Sequence, residues 1–377
     1  MKVMIVVTHL LGTGHLARAT TLALAYKKAG HIPCVVSGGM PAPVLENADV
    51  PLVQLPPVRS DGVDFSRLLD AGGLAVTDTY MDKRETDLRA ALAQFEPDVL
   101  ITELFPFGRR ILRDEFHALL TAARQMAQPP CIYASIRDIL APPSQPKKAQ
   151  FADDVIAEFY DGVLVHSDPA LAPLEVSWPV SDKLRPKLQY TGFVSRPPAG
   201  PHPDGTGRGE VIVSAGGGDV GMPIYQAALA AAAQVERPFR LLVGGAEAQI
   251  RIDALRRDAP ANVTIEAARP DFRQMLFEAA ASVSLCGYNT ALDILQANTP
   301  AVFVPFDEGV EVEQGLRANA LAKRSGIAVV ARADLSAARL AHAIEEVIAA
   351  PSRDQISDSF NGAQRSVEIT FADWSTR

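Results

Sequence analysis

Between positions 287 and 314 the chain sets out a group of side chains with one chemistry in common. Gly287, Asn289 and Thr290 stand where a short apolar run, 282–285, gives way to a segment of helical spacing, 291–297. At a helix start the first N–H groups have no partner and the dipole is positive, so such a turn attracts phosphate. Asp293 follows Thr290 by three residues and shares its helix face. A carboxylate there accepts hydrogen bonds from the two hydroxyls of a ribose. Glu313 and Gln314 open the next helix, and Gln314 reaches the same crevice. Phosphate and ribose together mean a nucleotide.

These residues require a strand, a glycine turn, a helix, a second strand and a second helix. Thr299-Pro300 stops the first helix, AVFVPF reads as a buried strand, and 311–325 reads as a helix closed by Gly326. That order is a doubly wound α/β unit, whose ligands lie beyond the carboxyl ends of the strands. A second turn of this kind occurs at 210–221, EVIVSAGGGDVG. Gly216, Gly217 and Gly218 let backbone N–H groups approach a phosphate, and Asp219 suits the N-cap of an Ala-rich helix reaching about position 235. A tight strand-to-helix turn alone needs fewer glycines.

Gly287-x-x-Thr290-x-x-Asp293, then TPAVFVPF, then Glu313-Gln314, resembles the donor-binding half of MurG-type glycosyltransferases. The resemblance is close over this stretch and looser elsewhere. It implies the GT-B fold, an α/β architecture of two Rossmann-like domains facing across a cleft, with a last helix crossing back to the first domain. It implies transfer of a sugar from a nucleotide-diphosphate donor such as UDP-GlcNAc to a lipid-linked or other hydroxyl acceptor, with inversion at the anomeric carbon. It places the 216–218 glycines at the donor diphosphate and Arg269, or a neighbour, over the uracil through backbone groups. Two departures stand out: the family carries Glu where Asp293 stands, and Asn319 falls five positions after Gln314, out of register with the family's asparagine.

The N-terminal half offers a base and an acceptor side. Val3–Val7 reads as a strand, LLGTGH as a loop with Gly12 and Gly14, and 16–28 as a helix. Two close glycines without a third are a weak sign of dinucleotide binding. His15 ends that loop at the carboxyl end of the first strand, and the resembling family has a histidine at the matching place. Imidazole titrates near neutrality and suits the removal of a proton from an acceptor hydroxyl. A histidine that merely hydrogen-bonds a nearby carbonyl would look the same. Glu103 and Asp138 end two further buried runs and are the other acid–base candidates. Phe107, Arg109 and Arg110 suit acceptor recognition, the ring for an apolar or sugar group and the guanidiniums for phosphate. A packed helix start with solvated arginines accounts for them equally well. Residues 55–85 read as a long ordered lid or acceptor loop.

The predicted domains are 1–195 for the acceptor, a Pro/Gly-rich linker at 196–209, 210–350 for the donor, and a C-terminal helix in 351–377 packing back on the first domain. At 377 residues with 48% hydrophobic and 21% charged content, the composition is that of a two-domain globular protein. A net charge of −8 disfavours nucleic-acid partners. No run of eighteen apolar residues is present, so at most peripheral membrane contact is expected, and the N-terminus reads as a strand rather than a signal peptide. Three scattered cysteines indicate neither disulfides nor zinc and fit the cytoplasm. The chain lacks Asp-x-Asp, so neither an obligatory metal nor another cofactor is expected. A UDP-sugar donor and an unidentified acceptor are the expected partners. Alternatives in the same fold are a sugar-nucleotide hydrolase or 2-epimerase. A non-catalytic nucleotide-binding protein is the alternative outside catalysis. A dehydrogenase fits least, since Gly38-Gly39 rather than an acid ends the second strand.

Overall fold

The computed structural model describes residues 1–42, 49–60, 67–216, 220–245, 247–309 and 311–377. The chain divides into two compact units, Met1–Arg196 with Asp358–Arg377, and Pro197–Ser357.

In the first unit the described strands are β1 (Lys2–Val7), β2 (Ile32–Ser37), β3 (Leu52–Gln54), β4 (Val99–Glu103), β5 (Cys131–Arg137), β6 (Gly162–His166) and β7 (Leu188–Tyr190). They form one seven-stranded sheet in the order β3-β2-β1-β4-β5-β6-β7, every neighbouring pair parallel. Helices α1 (Gly14–Lys28), α2 (Asp78–Phe95), α3 (Arg113–Arg124) and α4 (Pro146–Phe159) connect them, and α11 (Gly362–Ser375) closes the chain. Successive residues of β1 serve opposite faces. Met4 and Val6 join the core under α2, α3 and α4, while Val3, Ile5 and Val7 join the core under α1 and α11. Covering on both faces is why β1 is apolar from Val3 to Val7 rather than alternating. Each such fully buried side chain contributes roughly 1.5–3 kcal/mol. The order reverses between β1 and β4, the place where this topology puts its ligands.

The α11 helix belongs to the first unit. Tyr26 of α1 meets Thr370 through their hydroxyls at 2.8 Å, and Tyr133 of β5 donates to Asp373. Gly362 fixes where it lands, because a Cβ there would lie 2.3 Å from the Gly192 carbonyl oxygen. The tail is less helical than expected: 351–356 is irregular, a short turn follows at Ser357–Phe360, and the helix begins only at Gly362.

The second unit repeats the plan with β8 (Val211–Ser214), β9 (Phe239–Val243), β10 (Val263–Ala267), β11 (Ala281–Ser284), β12 (Ala301–Phe303) and β13 (Ile327–Val329), ordered β10-β9-β8-β11-β12-β13 and parallel. Its helices are α5 (Met222–Ala232), α6 (Ala248–Arg256), α7 (Phe272–Leu276), α8 (Tyr288–Ala297), α9 (Glu313–Leu321) and α10 (Ala337–Ala349). Among the described residues no helix is long and apolar enough to cross a membrane.

Several boundaries differ from the sequence reading. The 55–85 stretch is not irregular throughout, because α2 starts at Asp78, where the Thr77 hydroxyl accepts the Tyr80 N–H. The part before it is ordered by bridges from Leu69 to Arg59 and Ala75, and 61–66 lies outside the described residues. The helix expected over 311–325 ends at Leu321. Residues 197–209 lack regular structure but belong to the second unit. Arg208 pairs with Glu278 at 2.9 Å and the Gly209 N–H bonds the Glu278 carbonyl, so polar contacts anchor a stretch that has no apolar ones to offer.

Candidate functional site

In the first unit the strand ends gather four polar side chains. Parallel pairing sets Glu103 of β4 opposite Ser135 of β5. His15 enters from the second position of α1, and Arg18 one turn later shares its helix face. His15 Nδ1 lies 2.9 Å from Glu103 Oε1. Arg18 Nη2 also stands 3.1 Å from Nδ1, but its hydrogen goes to the nearer Glu103 Oε1; a carboxylate only accepts, so Nδ1 carries the proton and Nε2 keeps its lone pair. Arg18 also donates to Glu103 Oε1, and the Ser135 hydroxyl donates to Oε2 at 2.6 Å. Glu103 is 1% exposed and the His15 side chain 14%.

Charges in so dry a place set one another. Burial opposes ionisation of Glu103, but the Arg18 charge and the His15 hydrogen bond outweigh it and hold the carboxyl well below the usual range. Burial, with the Arg18 and Arg109 charges behind it, pulls His15 down to about 3 against the pull of Glu103. His15 is therefore neutral at pH 7, with a free lone pair on Nε2. Together the histidine and the carboxylate can take a proton from a hydroxyl and stabilise the imidazolium that results.

In the second unit the focus is the turn from β11 into α8. Gly287 is the N-cap of α8, in an extended conformation that lets its carbonyl accept the Ala291 N–H. The helix begins at Tyr288, three residues earlier than its spacing suggested. Around Gly287 there is open space, nothing within 4 Å of where a Cβ would stand. The backbone ahead of it is clamped from α9. Gln314 Oε1 accepts the N–H of Cys286 at 3.1 Å and that of Phe306 at 3.2 Å. Arg317, 2% exposed, donates to the Cys286 carbonyl at 3.0 Å, its guanidinium 5.8 Å from the centre of the Tyr288 ring. The result is an open helix N-terminus with a buried cation behind it, a place suited to an anion.

Residues 221–368 match the glycosyltransferase family 28 C-terminal domain. Over the whole chain the structure is similar to MurG of Acinetobacter baumannii, with a TM-score of 0.64 at 15% identity, covering 98% of this chain and 99% of that one. The chain has the GT-B fold, and its 221–368 segment is of the glycosyltransferase family 28 C-terminal type. It is also similar to a UDP-glucosyltransferase from Polygonum tinctorium capable of glucosylating indoxyl, with a TM-score of 0.68 at 14% identity, covering 100% of this chain and 99% of that one. The glycosyltransferase VinC, in complex with dTDP, gives a TM-score of 0.61 at 17% identity over 99% of this chain and 95% of VinC. No curated protein matches the sequence.

The structure places the predicted residues unevenly. His15 and Glu103 meet. Asp138 is 2% exposed just after β5. Gly12, with φ of +47°, lies on the exposed loop before α1, and Gly14 is the exposed first residue of that helix. Phe107 is a correction: it is 3% exposed and packs edge-on against Trp178, ring centres 5.1 Å apart, because burying an aromatic ring gains more than lining a loop with it. Arg109 Nε donates to the Thr8 carbonyl just after β1 at 2.5 Å and Arg110 to the Phe107 carbonyl of its own loop at 2.6 Å, so each arginine spends a donor on the backbone.

On the donor side Gly216 has φ of +72° with nothing near its Cβ position, whereas Gly217, Gly218 and Asp219 lie outside the described residues. Asn289 is exposed and Thr290 partly so in the first turn of α8. Asp293 accepts Arg273 Nε at 2.6 Å. Arg269 is held by Asp271 at 2.6 Å. The N–H groups of Glu313 and Gln314 donate to Glu311, which caps α9. Asn319 is exposed on α9.

Sequence reasoning did not nominate Arg18, Ser135, Arg273 or Arg317. A signal existed for two of them. Arg18 follows His15, and Arg317 follows Gln314, at the three-residue spacing that shares a helix face. Ser135 was a polar residue in an apolar strand run, and Arg273 carried no mark at all.

Proposed function

We propose that the chain transfers a sugar from a UDP-linked donor to a hydroxyl acceptor with inversion and without a metal ion. The observation that carries the reading is the contact of His15 Nδ1 with Glu103, which leaves Nε2 as the base. The acceptor hydroxyl attacks the anomeric carbon as its proton passes to Nε2, and the nucleoside diphosphate departs. Glu103 is too buried to touch a substrate, so it orients the imidazole and stabilises its charged form. The N–H groups at the start of α8 and the Gly216 turn meet the charge developing on the diphosphate. Asp293, with Arg273 at its side, receives a ribose hydroxyl. The dTDP bound to VinC and the UDP-glucosyltransferase of Polygonum support a nucleotide-sugar donor.

Calorimetry with UDP and turnover of a UDP-sugar in EDTA test this together. Asp293→Ala should weaken UDP about tenfold, the worth of one good hydrogen bond to a charged group. His15→Ala should bind UDP like the wild type and lose about a hundredfold to ten-thousandfold in kcat. Near-wild-type turnover of His15→Ala, or activity that EDTA abolishes and Mg restores, would sink the corresponding part of the reading.

A further inference from the structure

Behind Glu103 the polar contacts continue across the sheet. Ser135 Oγ, 2.6 Å from Glu103 Oε2, is also 2.9 Å from His166 Nε2, and His166 Nδ1 is 2.8 Å from Thr191 Oγ1. Ser135 and His166 are 0% exposed and Thr191 is 4%.

Proton counting assigns each of these bonds a direction. The carboxylate has no proton to give, so the Ser135 hydroxyl points at Glu103. Its oxygen then accepts, and His166 Nε2 must be the donor. A neutral imidazole has one N–H, so Nδ1 accepts from the Thr191 hydroxyl. Thr191 has other acceptors in reach, the Gly192 carbonyl at 2.7 Å and the Val165 carbonyl at 3.3 Å, so its proton is contested. The opposite assignment would set two lone pairs against each other between Ser135 and Glu103, at 2.6 Å. His166 is neutral here because it is fully buried and the Arg18 charge bears on it more than that of Glu103. The charged groups that bear on His15 are Glu103, Arg18 and Arg109.

We propose that Ser135 and His166 are positioning residues, which with Thr191 behind them hold Glu103 in one rotamer so that His15 keeps its proton on Nδ1. The consequence for turnover rests on His15 being the base, but the consequence for its tautomer does not. In a low-dielectric interior each bond polarises the next, and a donor removed from a buried carboxylate is not replaced by water. A distant hydroxyl thus bears on the face His15 presents.

The experiment is nitrogen-15 NMR of the histidine rings in the full chain at pH 7, with hydrolysis of UDP-GlcNAc as the activity probe. In the wild type His15 should show the Nδ1–H form alone. Ser135→Ala should give a mixture of tautomers and lower kcat about tenfold, with the donor KM unchanged. Thr191→Val, the same shape without the hydroxyl, should move both in the same direction by less. Thr191→Ser, which keeps the hydroxyl, should restore them. An unchanged His15 tautomer in both Ser135→Ala and Thr191→Val overturns the proposal. Should Ser135→Ala fail to fold, the Thr191 pair decides alone: a difference between valine and serine supports the relay, and identity of the two overturns it. Retention of turnover by His15→Ala, while Ser135→Ala still shifts the tautomer, would remove the base and leave the positioning intact.

Discussion

Both units place chemistry where a strand runs into a helix, yet they use opposite means. At the His15 site the working atoms are side chains. His15 comes from α1, Glu103 from β4, Ser135 from β5 and His166 from β6, and nearly all of this is out of water. At the Gly287 turn the groups proposed to meet the donor are backbone N–H groups beside open space, while side chains from α9 stand behind and hold that backbone. A buried charge cluster gains rigidity and precise proton placement, but each member depends on the others. A backbone turn has no side chain to lose, so its weak points are the braces. The first unit should therefore fail as an ensemble and the second piece by piece.

The largest expected effect tests the cluster. Glu103→Leu removes a buried carboxylate partner of Arg18, which is 6% exposed, and leaves the guanidinium in a dry place without that charge. Breaking a buried pair in this way costs about 3–5 kcal/mol. Denaturant unfolding followed by a probe in each unit measures it. A loss under 1 kcal/mol, or an equal loss in both units, would show that the cluster is not the mutual support described here.

Acid should separate the units next. The histidines held below their ordinary value, His9, His15, His31 and His166, all belong to the first unit. His15 and His166 stand at about 3 when folded against an ordinary value of 6.5. The unfolded chain therefore binds more protons between those values, and stability rises with pH there. Seen the other way, stability is intact above pH 6.5 and is lost as pH falls toward 3, by up to about 1.4 kcal/mol per pH unit for each of the two. Glu103, depressed when folded, adds its own loss below its unfolded value near 4.5. Hydrogen exchange at pH 5 should open β1, β4 and β5 before β8 and β11. The reverse order would refute the assignment of acid sensitivity to the first unit.

The smallest effect tests a brace. Gln314→Ala leaves two N–H groups, those of Cys286 and Phe306, without their acceptor, at about 1–3 kcal/mol. Because those groups hold the turn rather than touch the ligand, UDP affinity should fall about tenfold while the first unit's unfolding stays as it was. Unchanged UDP affinity would mean that the turn keeps its shape without the clamp, and that Gln314 is not the brace its geometry implies.

Much of this was legible in the chain itself, because it depended on local pattern. Continuous apolar runs such as Val3–Val7, each followed by glycine and then helical spacing, specify parallel strands covered on both faces. The turn chemistry of Gly287, Asn289 and Thr290 follows from their place before a helix, whatever that helix packs against. So does the position of His15 at the end of the first strand. What the tertiary structure decided were the partners. The register of β4 against β5 sets Glu103 beside Ser135, and that of β5 against β6 brings His166 within reach of it, though the residues lie 32 and 31 positions apart in the chain. Burial likewise turned Phe107 into core and set Arg109 on the Thr8 carbonyl and Arg110 on that of Phe107, since a ring or a guanidinium shows no sign in the sequence of which surface will cover it. Residue type and spacing state what a side chain is able to do. Which neighbour it meets, and whether water reaches it, are long-range facts that only the packed sheet creates.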